Sequence, residues 1–185
     1  QNGNKAAYEY IEDNPDNVSY ELFNKTCLEL YAKMKANRGN IEIHEHHFLR
    51  YVLEYFGIKL SISIEEAEWI ISTTLGDNIM TPDADKMLKA LTEKGIKTGI
   101  ISNLCWSGNA LERVMAELFP EHKFEFIMTS SEYIFRKPDR HLFDLAVRKS
   151  GFKAEEIWYC GNFIDVDVIG ANNAGLFPVL YDNSD

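Results

Sequence analysis

Over the first roughly 75 positions the apolar residues recur at helical spacing, and the breaks between them fall on turn-forming residues. Lys5–Asp13 predicts a first helix, stopped by the turn cluster Asn14-Pro15-Asp16-Asn17. Phe23, Cys27, Leu30, Tyr31 and Met34 mark the inner face of a second, ended by Asn37-Arg38-Gly39-Asn40. Phe48, Tyr51, Val52, Tyr55 and Phe56 mark a third, between His44 and Gly57. Ser63, with Glu66 three residues on, predicts a capped start for a fourth that carries Ala67, Trp69, Ile70 and Ile71. No strand pattern interrupts these four, so residues 5–75 are expected to form a small antiparallel helical bundle.

From Gly76 the pattern alternates. Thr81-Pro82 predicts a helix start, with Met87, Leu88 and Leu91 inward and Gly95 at the end. Lys97–Ser102 reads as a strand, Ser107–Phe119 as a helix and Phe124–Met128 as a strand. Arg140–Lys149 is a helix stopped by Gly151, and Ile157–Cys160 is a short apolar strand. A helix rich in small residues (Gly170, Ala171, Ala174, Gly175) and a last strand, Phe177–Tyr181, complete the order. Alternation of this kind predicts an α/β class, with a Rossmann-like parallel sheet over residues 76–185 covered on both faces. The chain opens directly in the helical segment and closes just after a strand, so a first strand and a last helix are expected beyond its two ends.

Composition narrows the partners. An apolar fraction of 45% supports a sizeable core without covalent staples. A net charge of −10 with no basic run argues against nucleic acid and anionic membranes. Cys27, Cys105 and Cys160 are odd in number and widely spaced, which fits neither a disulfide framework nor a paired-cysteine metal site. A reducing cytoplasm is the expected compartment. No apolar run approaches a membrane span. Oligomeric state leaves no mark on the pattern.

The candidate chemistry sits where strands end, because ligands of open parallel sheets bind at the carboxyl ends of the strands. Ile100-Ile101-Ser102-Asn103 brings a hydroxyl and an amide out of a strand. Arg136-Lys137-Pro138-Asp139 holds a lysine just before a helix, and Gly161-Asn162-Phe163-Ile164-Asp165-Val166-Asp167 is a polar turn after the apolar strand. A hydroxyl, an ammonium and carboxylates converging on one edge suit a metal-assisted reaction on an anion. Ser102 and Asn103 are candidates to hold a phosphoryl group, Lys137 to neutralise it, and Asp167 to hold a hard cation such as Mg²⁺. A second cluster, His44-Glu45-His46-His47, puts His44 and His47 three apart on one helix. No distant partner completes a tetrahedral ligand set there, so a solvated face is the favoured reading.

In this order and spacing the three strand-end motifs resemble the second, third and fourth motifs of the haloacid dehalogenase-like hydrolases, in the form with a helical cap inserted in the core. The resemblance covers essentially the whole chain. It implies a cap at 5–75 and a Mg²⁺-dependent phosphatase acting on a small phosphorylated metabolite through an aspartyl-phosphate. In that scheme Lys137 and Ser102 are catalytic, Ser102, Asn103 and Lys137 bind phosphate, and Asp167 with Asn162 (Asp165 possible) holds the metal. Two departures stand out. The family's first motif, an Asp-x-Asp after the first strand, has no counterpart here; Asp83-Ala84-Asp85 lies in a helix start, so the nucleophile is expected upstream of Gln1. Asn162 stands where metal-binding members carry Asp. That opens two alternatives: a metal-independent dehalogenase acting on a small halogenated acid, or an inactive relative kept for binding.

Overall fold

A computed structural model describes residues 3–75 and 80–181; the expected start of the α/β segment at Gly76 and the last four positions lie outside them. In chain order the elements are α1 (Gly3–Tyr8), β1 (Ile11–Asp13), α2 (Tyr20–Asn37), α3 (Glu45–Tyr55), β2 (Lys59–Leu60), α4 (Ile64–Thr74) and α5 (Ala84–Glu93). Then come β3 (Ile100–Ser102), α6 (Gly108–Leu118), β4 (Ile127–Thr129), α7 (Ser130–Tyr133), α8 (Arg140–Ser150), β5 (Trp158–Gly161), α9 (Ile169–Asn173) and β6 (Phe177–Leu180). The chain divides into two compact units. One comprises Gln1–Gly39, Ile43–Asp85 and Trp106–Pro120; the other comprises Asn40–Glu42, Lys86–Cys105 and Glu121–Asp185.

In the first unit the helix starts follow from capping chemistry. Ser19, Ser63 and Ser107 each accept a backbone N–H of the first turn, from Leu22, Glu66 and Ala110 respectively. The inner faces of α2, α3 and α4 close around Phe23, Cys27, Phe48, Leu49, Val52, Leu53, Ala67 and Ile71. Burial, and secondarily the charge of Glu45, pushes the Cys27 thiol up to about 12, so it packs as a small apolar group. One expectation is corrected. The first helix ends at Tyr8, and Ile11–Asp13 instead forms a strand paired antiparallel with Lys59–Leu60. The strands of three and two residues are too short to show alternation in sequence, and Ser61 N–H bonding to the Tyr10 carbonyl at 2.8 Å extends the contact.

The second unit holds the parallel strands. β3 pairs with β4 in register from Ile100–Ile127 to Ser102–Thr129, and β5 pairs with β6 from Trp158–Phe177 to Gly161–Leu180. No ladder joins the two pairs among the described residues, so the expected single sheet is two parallel pairs. Ile101 packs on both apolar clusters behind them: Met128, Leu142 and Ala146 in one, Phe143, Ala171, Ala174 and Leu176 in the other. The expectation of cover on both faces is also corrected for β5–β6. Trp158 is 74% exposed and lies against the exposed ring of Phe177 at 5.1 Å. The helix expected at Pro82 begins at Ala84, because Asp83 takes a positive φ of 61° that no α-helix accommodates.

Candidate active site

The site is built on three segments of the second unit, and each owes its position to a local cause. The lysine segment comes first. Asn40–Glu42 runs beside it as a strand-like partner: Arg136 N–H donates to the Asn40 carbonyl at 2.8 Å, and Glu42 N–H donates to Ile134 O at 2.6 Å. Buried Glu42 pairs with the Arg136 guanidinium and accepts the Ser130 hydroxyl at 2.9 Å. Ile134, a β-branched residue, is held at φ 71°, a strained conformation that these bonds over-determine. The Lys137–Pro138 peptide that follows is cis, and Asp139 caps α8 by accepting His141 N–H at 3.0 Å.

The second segment is the end of β3. Asn103 is bonded twice to the backbone of Lys137: its Nδ2 donates to Lys137 O at 2.9 Å, and its Oδ1 accepts Lys137 N–H at 2.8 Å. A primary amide offers the donor and the acceptor side by side. Ser102, half-buried at the strand end, makes no side-chain hydrogen bond among the described residues. Its hydroxyl is available to an incoming anion.

The third segment is the turn after β5. The chain does not go straight into an α-helix there. Ile164–Val168 forms a wider π-type turn, in which Val168 N–H reaches Phe163 O and Ile169 N–H reaches Ile164 O. Such turns recur at functional sites because they re-aim one side chain. Here the re-aimed residue is Asp167, which is 2% exposed and folds back over Gly161. A Cβ at Gly161 would lie within 2.7 Å of Asp167 Oδ2, so only glycine leaves room for the carboxylate. The helix after the turn packs tightly on its neighbours: a Cβ at Gly170 would meet the Phe143 ring at 2.7 Å and Pro138 Cα at 3.1 Å.

Lys137, Tyr159 and Asp167 meet at the centre. The ammonium donates to Asp167 Oδ1 at 2.7 Å and to Tyr159 Oη at 2.8 Å. The phenol donates to the same Oδ1 at 3.1 Å, and Phe163 N–H donates to Oδ2 at 3.1 Å. Burial works to raise the Asp167 carboxyl. The hydrogen bond and charge of Lys137, helped by the Phe163 amide and the Tyr159 phenol, outweigh it and hold the group below the usual carboxylate range. Burial, then the Asp167 charge, pushes the Tyr159 phenol far upward, so it stays a proton donor.

Of the residues expected from sequence, Lys137 and Asp167 come together, and Asn103 fixes the lysine backbone. Ser102 stands at the adjoining strand end, while Asn162 and Asp165 are exposed on the turn and outside the hydrogen-bonded centre. Tyr159 was missed. Its signal was a phenol in a short apolar strand, two residues before Gly161, where a buried hydroxyl needs a partner. Glu42 carried no signal, being 94 positions from Arg136.

Residues 13–180 match the family described as haloacid dehalogenase-like hydrolase. A glyceraldehyde 3-phosphate phosphatase of Methanothermobacter thermautotrophicus is 34% identical over 101 residues, 54% of this chain and 43% of that protein. A ribulose-1,5-bisphosphate 5-phosphatase of Halopiger xanaduensis is 28% identical over 195 aligned positions, covering 100% of this chain and 78% of that protein. The chain thus spans less than half the length of the first of these relatives. Among solved structures, a haloacid dehalogenase-like phosphatase from Thermococcus onnurineus shares the fold with a TM-score of 0.60 at 18% identity, over 91% of this chain and 72% of that one. A 2-haloacid dehalogenase from Pseudomonas syringae does so at 0.57 and 18% identity, over 97% of this chain and 77% of that one. With the matched family spanning residues 13–180, the chain belongs to the haloacid dehalogenase-like hydrolases.

Proposed function

We propose that the protein is a phosphomonoester hydrolase acting on a small phosphorylated metabolite. The observation that carries the reading is the buried Lys137 ammonium, held by Asp167 and Tyr159 beside the hydroxyl end of β3. An ammonium fixed by an anion at one side is preorganised to meet a second anion at the other, which is the electrostatic requirement of phosphoryl transfer. Lys137 would face both the attacking carboxylate and a phosphoryl oxygen, and Ser102 with the amides after it would hold another oxygen. Asp167 is the one carboxylate that engages Lys137 among the described residues, and it is committed to that pairing. The reading therefore assigns the attack, and the protonation of the leaving oxygen, to two aspartates other than Asp167. The helical segment at 5–75 is assigned the role of a cap that excludes water and selects the substrate.

The donor chemistry of the turn fits Mg²⁺, which takes oxygen ligands. Asp167 Oδ2 accepts a single hydrogen bond and keeps a lone pair, while Asn162 and Asp165 present further oxygens to solvent. Asp167 and Asn162 would hold the ion, with Asp165 in reserve. Bound there, the cation would offset charge on the phosphoryl oxygens. The likeness to a glyceraldehyde 3-phosphate phosphatase and a ribulose-1,5-bisphosphate 5-phosphatase supports phosphorylated sugars as the substrate class.

The decisive experiment measures phosphate release by the intact protein from a panel of sugar phosphates, glyceraldehyde 3-phosphate and ribulose 1,5-bisphosphate included, with Mg²⁺ and with chelator. Release that depends on Mg²⁺ and disappears in Lys137→Ala is the expected result. Asn162 in place of an acid favours a second reading, cleavage of 2-haloacids without metal. Halide release unaffected by chelator, with no phosphate release, would replace the first reading by the second.

A further inference from the structure

His44, His46 and Glu68 come together in the first unit, whereas the sequence paired His44 with His47 and offered no distant ligand. His44 caps α3 and His46 lies in its first turn, while Glu68 projects from α4. One ligand atom from each lies within 4.8 Å of the other two, and His46 Nε2 is 2.9 Å from Glu68 Oε2. We propose that these three residues form a binding site for a divalent transition-metal ion of the Zn²⁺ class.

The donor set carries the assignment. Two imidazole nitrogens and a carboxylate oxygen are the ligands such ions take when three protein groups leave one position open. Bonds of about 2.0–2.1 Å in a tetrahedron set the ligand atoms roughly 3.3 Å apart. The His46–Glu68 spacing would open by a few tenths of an ångström, and the third ligand would close by at most about 1.5 Å. His44 Nδ1 accepts the His46 backbone N–H at 3.1 Å; ligation through Nε2 would shift the ring proton to Nδ1 and open that bond.

The carboxylate is also held from behind. Glu68 is 1% exposed; its Oε1 accepts Ser107 N–H at 2.7 Å, and Oε2 accepts the Ser107 hydroxyl at 2.6 Å. The Ser107 oxygen in turn caps α6 by accepting Ala110 N–H at 3.2 Å. Outer bonds of this kind orient a ligand and raise the affinity of the site. Both imidazoles are half-buried, so the ion enters from their side, and its fourth position falls to water or an anionic oxygen. Binding needs a lone pair from His46 Nε2 and one from Glu68 Oε2, so the hydrogen bond between them opens as both turn to the metal.

The test uses the intact, untagged chain stripped with chelator, titrated with Zn²⁺ by calorimetry and with Co²⁺ by visible absorption. One ion per chain, a four- or five-coordinate Co²⁺ spectrum and a raised melting temperature with Zn²⁺ are expected. His44→Ala and His46→Ala should each weaken binding by more than about 100-fold, beyond the loss typical of an orienting residue, and abolish the thermal shift. Glu68→Gln keeps the shape of the buried side chain and should do the same; the half-buried His44 keeps the test alive if that variant does not fold. Asp167→Asn should bind Zn²⁺ as the wild type does, which separates this site from the phosphatase reading. Failure of the folded wild-type chain to take up Zn²⁺ overturns the proposal. So does uptake that the histidine variants leave unchanged, or that Asp167→Asn abolishes.

Discussion

Lys137 and Asp167 are 30 positions apart in the chain, yet ammonium and carboxylate meet at 2.7 Å with neither side chain more than 11% exposed. The pair is the electrostatic centre of the second unit, and removing either member leaves a buried charge unmatched. Lys137→Ala should cost about 3–5 kcal/mol in denaturant unfolding, the usual penalty for breaking a buried pair. It should also lower turnover on the best substrate by more than about 100-fold. Near-normal turnover in a folded Lys137→Ala protein would mean that the chemistry happens elsewhere.

The same pair predicts an acid limb of stability. Asp167 has a folded pKa below its unfolded value, so its contribution is present above the ordinary carboxylate range and is lost as pH falls through the lowered folded value. The stability gap between wild type and Asp167→Asn should be flat near neutrality and shrink below about pH 4. Equilibrium unfolding at stepped pH reads this directly; a gap that persists undiminished at strongly acidic pH would contradict it.

Gly161→Ala tests the fold-back of the turn. The added methyl meets the Asp167 carboxylate, and overpacking of this kind costs about 1–3 kcal/mol. Because the aspartate must move, Lys137 loses its partner too, so activity should fall further than the stability loss alone explains. Thermal melts and turnover measured on one preparation separate the two effects.

Tyr159→Phe removes only the hydroxyl that links Lys137 and Asp167. The expected stability loss is about 1 kcal/mol, as for one hydrogen bond with both charged partners still satisfied by each other. Turnover should fall less than in Lys137→Ala, and a loss as large as the lysine's would assign the phenol a direct part in the chemistry.

Asn162→Asp restores a carboxylate on the exposed side of the turn. If Mg²⁺ binds there, the variant should bind it more tightly by calorimetry, because each added anionic oxygen raises affinity for a hard cation. Unchanged affinity would move the metal off this turn.

The sequence carried the order of helices and strands and the three strand-end motifs, because each rests on signals within a few residues: Ser63 facing Glu66, Gly161 after an apolar run. Contacts between distant positions were not legible. The strand at Ile11–Asp13 exists only because Lys59–Leu60 lies beside it, and two or three residues show no period of their own. The π-type turn that aims Asp167 inward could not be told from an ordinary helix start, since both read as apolar residues around two acids. Glu68 was invisible as a partner of His46 for the same reason: it reads as one more charge on an amphipathic helix until the fold buries it.

Asn103 grips the lysine not by its charged end but by its peptide groups, donating to one and accepting from the other. The second and third motifs are therefore mechanically one part. Replacing Asn103 by aspartate would keep the size and lose the donor, and alanine would lose both. An engineer who moves this lysine into another scaffold must carry the asparagine with it.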